Sequence, residues 1–322
     1  MGRGWFQILA AMFALGGATV ATAQVPDSLL TAIHSLQQDD TRLQSLGWKL
    51  GRANVAFCPT TQSAIGLLLF DVRNFNQPDP LRIAIGLSGD IGVEAVAQGS
   101  PAQAAGLSPG DEITAIAGRA MAALPPVKTG DFTRLGGLHD AIDAALAGQG
   151  AVTLGVKSGG VVRRVTVVGE PICASRFELL TSGNHAGADG QTVRLGRNIL
   201  AESPQDAEAA TLVAHEFAHD ILGHPARLGA HGRAARKVRE TEREADRLAV
   251  WLIANAGYDP AAAARFMLAW GARHDPIWTR APSHDGFRTR AALMEAERAK
   301  VAARLGSGAK LPLDWRAEFG VR

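Results

Sequence analysis

Apolar residues between positions 27 and 56 recur with the period of a helix. Leu29, Leu30, Ile33, Leu36, Leu43, Leu46 and Leu50 fall mostly at three-, four- and seven-residue steps, with Asp39 and Asp40 on the opposite face, which predicts one long amphipathic helix. The run Ile65-Gly66-Leu67-Leu68-Leu69-Phe70 within 63–72 predicts a strand, and 74–80 reads as a loop with Pro78 and Pro80 as breakers. From 81 to 169 short β-like runs alternate with glycine turns, at 81–87, 92–97, 112–117, 151–156 and 161–168, interrupted by helical stretches at 101–105 and 136–146. Ser158-Gly159-Gly160 makes a hairpin turn between the last two runs. Beyond 175 the period lengthens again. Strands at 177–180 and 192–195 flank the turn-rich 184–190, and helices follow at 205–222, 235–256, 260–272 and 286–304. The pattern predicts an α+β protein: a helical segment over 24–80, a β-rich domain over 81–170, and a mainly helical domain with a small edge sheet over 171–322.

The 322 residues suffice for two modest domains. Arg3, the apolar run from Trp5 to Val20 and Ala21-Thr22-Ala23 have the order of a cleaved signal peptide over 1–23, so the mature chain is expected to begin near Gln24. No later stretch is apolar enough to span a bilayer, and an exported, periplasmic protein without a transmembrane segment is expected. The formal net charge is +2, which argues against nucleic-acid binding. The basic cluster Arg233, Arg236, Lys237, Arg239 and Arg243 is interleaved with Glu240, Glu242 and Glu244, as on a solvated helix face. An isolated pair of cysteines, Cys58 and Cys173, in an exported chain predicts one disulfide.

The chemistry concentrates at His215-Glu216-Phe217-Ala218-His219, inside an apolar helical stretch. Spacing of four puts both imidazoles on one helix face, where they can ligate one zinc ion, with Glu216 placed to take a proton from water. A catalytic zinc needs a third protein ligand. A histidine ten residues after the first is ruled out because Pro225 stands there. His224 is a minor alternative, and a glutamate from the helix beginning near Glu240 is the main one. Glu242 and Asp246 share a face at spacing four, a layout that suits a ligand carboxylate with a second carboxylate behind a ligating imidazole. Glu240 and Glu244 stand as substitutes for Glu242.

Two resemblances extend this reading. Gly92-Val93-Glu94-Ala95-Val96, Gly99-Ser100-Pro101-Ala102, Ala105-Gly106-Leu107, Gly110-Asp111-Glu112-Ile113 and Ile116-Ala117-Gly118 together resemble a PDZ domain. That implies a module binding polypeptide C-termini by strand addition, with its carboxylate-binding loop near 83–87. The His-Glu-x-x-His motif followed by Glu242-Arg243-Glu244-Ala245-Asp246 resembles the CAAX prenyl endopeptidase, HtpX and BepA-type metallopeptidases (peptidase family M forty-eight). Asn184-His185-Ala186-Gly187-Ala188-Asp189-Gly190, Gly223-His224 and Ala256-Gly257-Tyr258-Asp259-Pro260 agree with it. The resemblance covers about residues 175–300. It implies a gluzincin-type protease domain that binds one Zn2+ through His215, His219 and Glu242. Glu216 would be the base and Asp246 the supporting carboxylate, and an edge strand over 191–198 would hold extended substrate. It further implies a late histidine facing the metal, matched by His284 in Ser283-His284-Asp285, with Arg290 six residues on; the family's usual proline after that histidine is Asp285 here. The expected function is zinc-dependent cleavage of unfolded or misassembled exported proteins, with a disulfide pinning the ends of the PDZ-like insertion. The alternative is a PDZ-led chaperone or binding protein with a latent protease site.

Overall fold

A computed structural model describes residues 27–274 and 284–321. The predicted signal peptide and Ser283 lie outside them. The chain opens with helix α1 (Asp27–Ala53), then β1 (Thr61–Ala64), β2 (Leu67–Asp71), α2 (Pro78–Ala84), β3 (Ile91–Val96), α3 (Pro101–Ala104), β4 (Glu112–Ile116), β5 (Arg119–Ala120), α4 (Thr133–Gln149), β6 (Ala151–Ser158) and β7 (Val161–Val168). Next come β8 (Glu170–Cys173), β9 (Arg176–Leu180), β10 (Ala186–Ala188), β11 (Thr192–Gly196), α5 (Arg197–Ala201), α6 (Asp206–Ile221), α7 (His224–His231), α8 (Ala235–Asn255), α9 (Ala262–His274), α10 (Phe287–Gly306) and α11 (Arg316–Phe319). The chain is thus mixed α+β, as its hydrophobic periods predict. No helix among the described residues is long and apolar enough to cross a membrane.

One sheet runs β2-β3-β4-β6-β7, with β5 on β4, all antiparallel. Its inner face and α4 share a core that includes Val93, Ile113, Leu138, Ile142 and Leu154. Ser100 caps α3 by accepting from the Gln103 amide, with Pro101 in the first turn. Gly159 and Gly160 turn β6 into β7 with φ of 54° and 84°, as a tight hairpin of this twist needs. At one end of the sheet Arg134 of α4 donates two hydrogen bonds to the buried Asp71 carboxylate, at 2.6 and 2.7 Å.

A second core joins α6, α8, α9 and α10 to the middle of α1, through Leu43, Leu46 and Leu50. Gly47 and Gly51, one turn apart, form a notch in α1: a Cβ at either would collide with Phe177 of β9 or Ile172 of β8. The three-stranded sheet β10-β11-β9 lies on this body. Between the two cores, β1 pairs antiparallel with β8, Thr61 opposite Cys173. The predicted disulfide Cys58–Cys173 closes the base of that ladder, with its Cα atoms 5.6 Å apart. The six-stranded sheet therefore leaves and re-enters the helical body through a covalently closed neck.

Three local predictions are corrected. The strand expected over 63–72 is two strands, because Gly66 turns the chain at φ 69°; β1 joins the neck and β2 the sheet. The expected loop at 74–80 and strand at 81–87 contain α2 instead. Pro78 occupies its first turn, where a fixed φ and a missing N–H favour a helix start rather than a break. Ile83 lies exposed on that helix, so 83–84 at the start of the expected carboxylate-binding loop are helical, while 85–87 lie beyond the helix end. The expected edge strand at 191–198 corresponds to β11, which is central, pairing antiparallel with β10 and parallel with β9. The outer edge belongs to β10, inside the stretch read as turn-rich.

Candidate metal centre

Helix α6 carries His215, Glu216 and His219 through the centre of the second core. Ala209, Ala210, Val213, Ala214, Phe217 and Ala218 are all fully buried around them, and Ala245, Leu248 and Ala249 of α8 are equally buried opposite. The small residues let the two helices approach closely, so short carboxylates on α8 reach imidazoles on α6.

His215, His219 and Glu242 converge. One ligand atom from each lies within 4.8 Å of the others, a grouping that could hold a metal ion. Nε2 of His215 and Nε2 of His219 are 3.3 Å apart, and the Glu242 carboxylate lies 3.3 Å from the first and 3.5 Å from the second. Two imidazole nitrogens and one carboxylate oxygen gathered this closely are a donor set that suits a small divalent cation. Behind the triad, Asp246 Oδ1 lies 3.0 Å from His215 Nδ1, off the line of a well-aligned hydrogen bond. Arg290 of α10 grips the same carboxylate with two bonds of 2.6 and 2.7 Å.

The electrostatics of the metal-free cluster follow from this crowding. Burial opposes charge on His215, yet Asp246 and Glu242 outweigh it and raise the imidazole to about 10. Burial also opposes charge on Glu242, but His215 holds it well below the usual carboxylate range. His219 is pushed down to about 3, by burial first and then by the His215 charge. Glu216 is pushed up to about 7 by burial, against the pull of His215. A buried carboxyl poised near neutrality can accept and return a proton within the working range.

The remaining expected residues are placed as follows. His284 precedes α10, with Nε2 3.6 Å from Glu242 Oε2, so it borders the ligand set. Asp285, where the family pattern has proline, accepts from Arg243 of α8 at 2.5 and 3.1 Å and fastens the segment that carries His284. Asp220, at the end of α6, accepts from Gly190 N at 2.7 Å and from Ser175 Oγ at 3.2 Å, tying the small sheet to α6. His224 is not in the metal-facing group. It is fully buried behind His219, Nδ1 to Nδ1 at 2.9 Å. Glu244, weighed as a substitute ligand, faces His224 Nε2 at 3.0 Å and also pairs with Arg227. Sequence reasoning missed this arrangement; the available signal was the sequence Gly223-His224-Pro225, a helix exit followed at once by a helix start. Compared with known proteins, the chain matches no protein-family model and no curated protein sequence.

Proposed function

We propose that this chain is a zinc-dependent endopeptidase acting on exported polypeptides. The observation that carries the proposal is the convergence of His215, His219 and Glu242 into a group that could hold a metal ion, with the buried Glu216 carboxyl on the same helix. His215, His219 and Glu242 would be the protein ligands. A bound zinc ion supplies Lewis acidity, acidifying water and polarising a carbonyl. Glu216 would accept the proton from the attacking water and later deliver it to the leaving amine. Asp246, held by Arg290, keeps the His215 ring in place. His284 stands where it could donate to a developing oxyanion. The free edge of β10, which touches α6, would pair with extended substrate, a mode that reads main chain more than side chains.

The six-stranded unit is proposed to be PDZ-like and to bind or gate substrate. A cavity of about 710 Å³ runs along the outer edge of β2, walled by α4, α1 and β9, with Leu68, His139, Trp48 and Phe177 among its lining. It is large enough for a short peptide. The neck disulfide and the predicted leader support an oxidising, periplasmic setting. A second reading, a PDZ-led chaperone with a latent protease site, is favoured by one contact: His284 lies 3.6 Å from the Glu242 carboxylate, close enough to compete for the open position.

Casein digestion by the zinc-loaded chain, beside its Glu216→Gln variant, tests the proposal. The variant should keep its zinc and lose cleavage by about 10²- to 10⁴-fold. Equal cleavage by both proteins would remove Glu216 from the mechanism. Absence of cleavage by the parent with zinc bound would favour the chaperone reading.

A further inference from the structure

We infer that His224 and Glu244 form a positioning relay that fixes the proton of His219 on Nδ1 and leaves its Nε2 lone pair facing the metal triad. The inference rests on the metal-centre reading but concerns protons already present in the metal-free protein.

The chain reversal builds the relay. Helix α6 ends at Ile221, Gly223 takes φ 63°, and α7 begins at His224 with Pro225 in its first turn. A left-handed residue followed at once by a new helix folds His224 back against α6. Its ring meets His219 edge to face, with centroids 4.8 Å apart. Glu244 comes from α8, two residues after Glu242, which turns it to the far side of that helix. The two glutamates thus address the two nitrogens of His219 from opposite sides: Glu242 faces Nε2 at 3.5 Å, while Glu244 reaches Nδ1 only through His224.

Hydrogen-bond bookkeeping then leaves one arrangement. A carboxylate accepts only, so the 3.0 Å contact with Glu244 requires a proton on His224 Nε2. The neutral ring, completely buried, has a bare Nδ1 and can only accept there. The 2.9 Å contact between the two Nδ1 atoms therefore requires His219 to donate from Nδ1. Its Nε2 is left bare, in the form a metal ligand needs. The same bare nitrogen lies 3.3 Å from His215 Nε2 and can accept from it in the metal-free protein. Arg227 completes the chain by donating to the Glu244 oxygen that faces His224. The site thus uses two unequal supports: a carboxylate behind His215 directly, and a carboxylate behind His219 through an intervening imidazole.

The test combines two readouts on the full chain. In the metal-free protein labelled with ¹⁵N-histidine, long-range proton–nitrogen correlation should give His219 in the Nδ1–H form, and Glu244→Ala should shift it towards a mixture. With zinc alone and a competing chelator, Glu244→Ala should bind about 10- to 100-fold more weakly, while Glu244→Gln, whose amide oxygen still accepts from His224, should stay within a few-fold of the parent. Glu244 is part-exposed (35% of its side chain), so its variants are expected to fold, whereas a change at the fully buried His224 would alter the core. A parent His219 protonated on Nε2, or parent-like zinc affinity in Glu244→Ala, would overturn the relay. If the parent binds no zinc at all, the metal-centre reading falls, and the tautomer measurement still decides the relay.

Discussion

Around the candidate metal centre the buried carboxylates face cations and imidazoles, whereas at the seam between α1 and the six-stranded sheet two carboxyls face each other. Asp246 is gripped by Arg290 and Glu242 by two histidines. Asp40 of α1 and Glu94 of β3 are each only 7% exposed. Burial is the main influence on both; it raises Asp40 to about 6 and, with the Asp40 charge added, Glu94 to about 8. Two buried carboxyls facing each other are least costly when they share one proton. One cluster is charge-balanced and keeps its arrangement at neutral pH without help from solvent. The other shares a proton, so the joint between the two halves of the molecule answers to pH, as the Glu216 carboxyl does within the first cluster.

Removing the balance at the metal centre should have the largest effect. Asp246→Ala leaves the Arg290 guanidinium buried beside Glu216 without its carboxylate, and an orphaned buried charge of this kind costs about 3–5 kcal/mol. Urea unfolding of the metal-free variant should show that loss at unchanged m. A loss under about 1 kcal/mol would mean that water replaces Asp246 and that the cluster is not the closed network its geometry suggests.

Cutting the neck is expected to cost less and to sharpen the contrast between the halves. The Cys58–Cys173 bridge spans 115 residues, and losing such a link typically costs about 2–4 kcal/mol through the freedom returned to the unfolded chain. In Cys58→Ser the loss should show in global unfolding and in faster amide exchange along the β1–β8 ladder. Zinc affinity should stay unchanged, because none of His215, His219 or Glu242 lies near the neck in sequence or shares the ladder. Weakened zinc binding in this variant would show that the neck holds the metal helices as well as the inserted sheet.

How much of this was readable from the sequence depended on whether the signal was local. The His215–His219 spacing and the Glu242–Asp246 spacing each sit within one helix, so periodicity put each pair on one face, while the choice of Glu242 over Glu240, Glu244 or His224 leaned on the family resemblance. The isolated cysteine pair was legible for a different reason, since two cysteines allow one pairing. Helix α2 was misread because prolines mark helix starts as readily as breaks, and only the docking of Leu81 against Phe70 and Val72 selects the helix. The central position of β11 was illegible because strand order is decided by long-range pairing, here the parallel match of Val193 with Phe177. His224 and Glu244 could be listed as ligand alternatives but not placed behind His219, because that depends on the angle at which α7 leaves Gly223.

The smallest predicted effect concerns the seam and carries a defined sign. A carboxyl raised in the folded state keeps a proton that the unfolded chain releases, so stability is full below the unfolded value and falls as pH rises towards the folded one. For Glu94 the window runs from its ordinary 4.5 to about 8. Glu94→Gln keeps a donor for Asp40 and cannot ionise. The variant should match the parent near pH 5 and exceed it by on the order of 2 kcal/mol at pH 9, a figure well below the full linkage value because a cavity-lining carboxyl can rehydrate. Thermal or urea unfolding across that range, read as the difference between the two proteins, isolates this one group from the other titrations. A difference that stays constant with pH would mean that Glu94 ionises normally and that the seam, like the metal centre, finds its countercharge within the fold. A difference that opens above pH 5 would place the pH-sensitive joint of the molecule at α1 and β3, on the wall of the same cavity that borders β2.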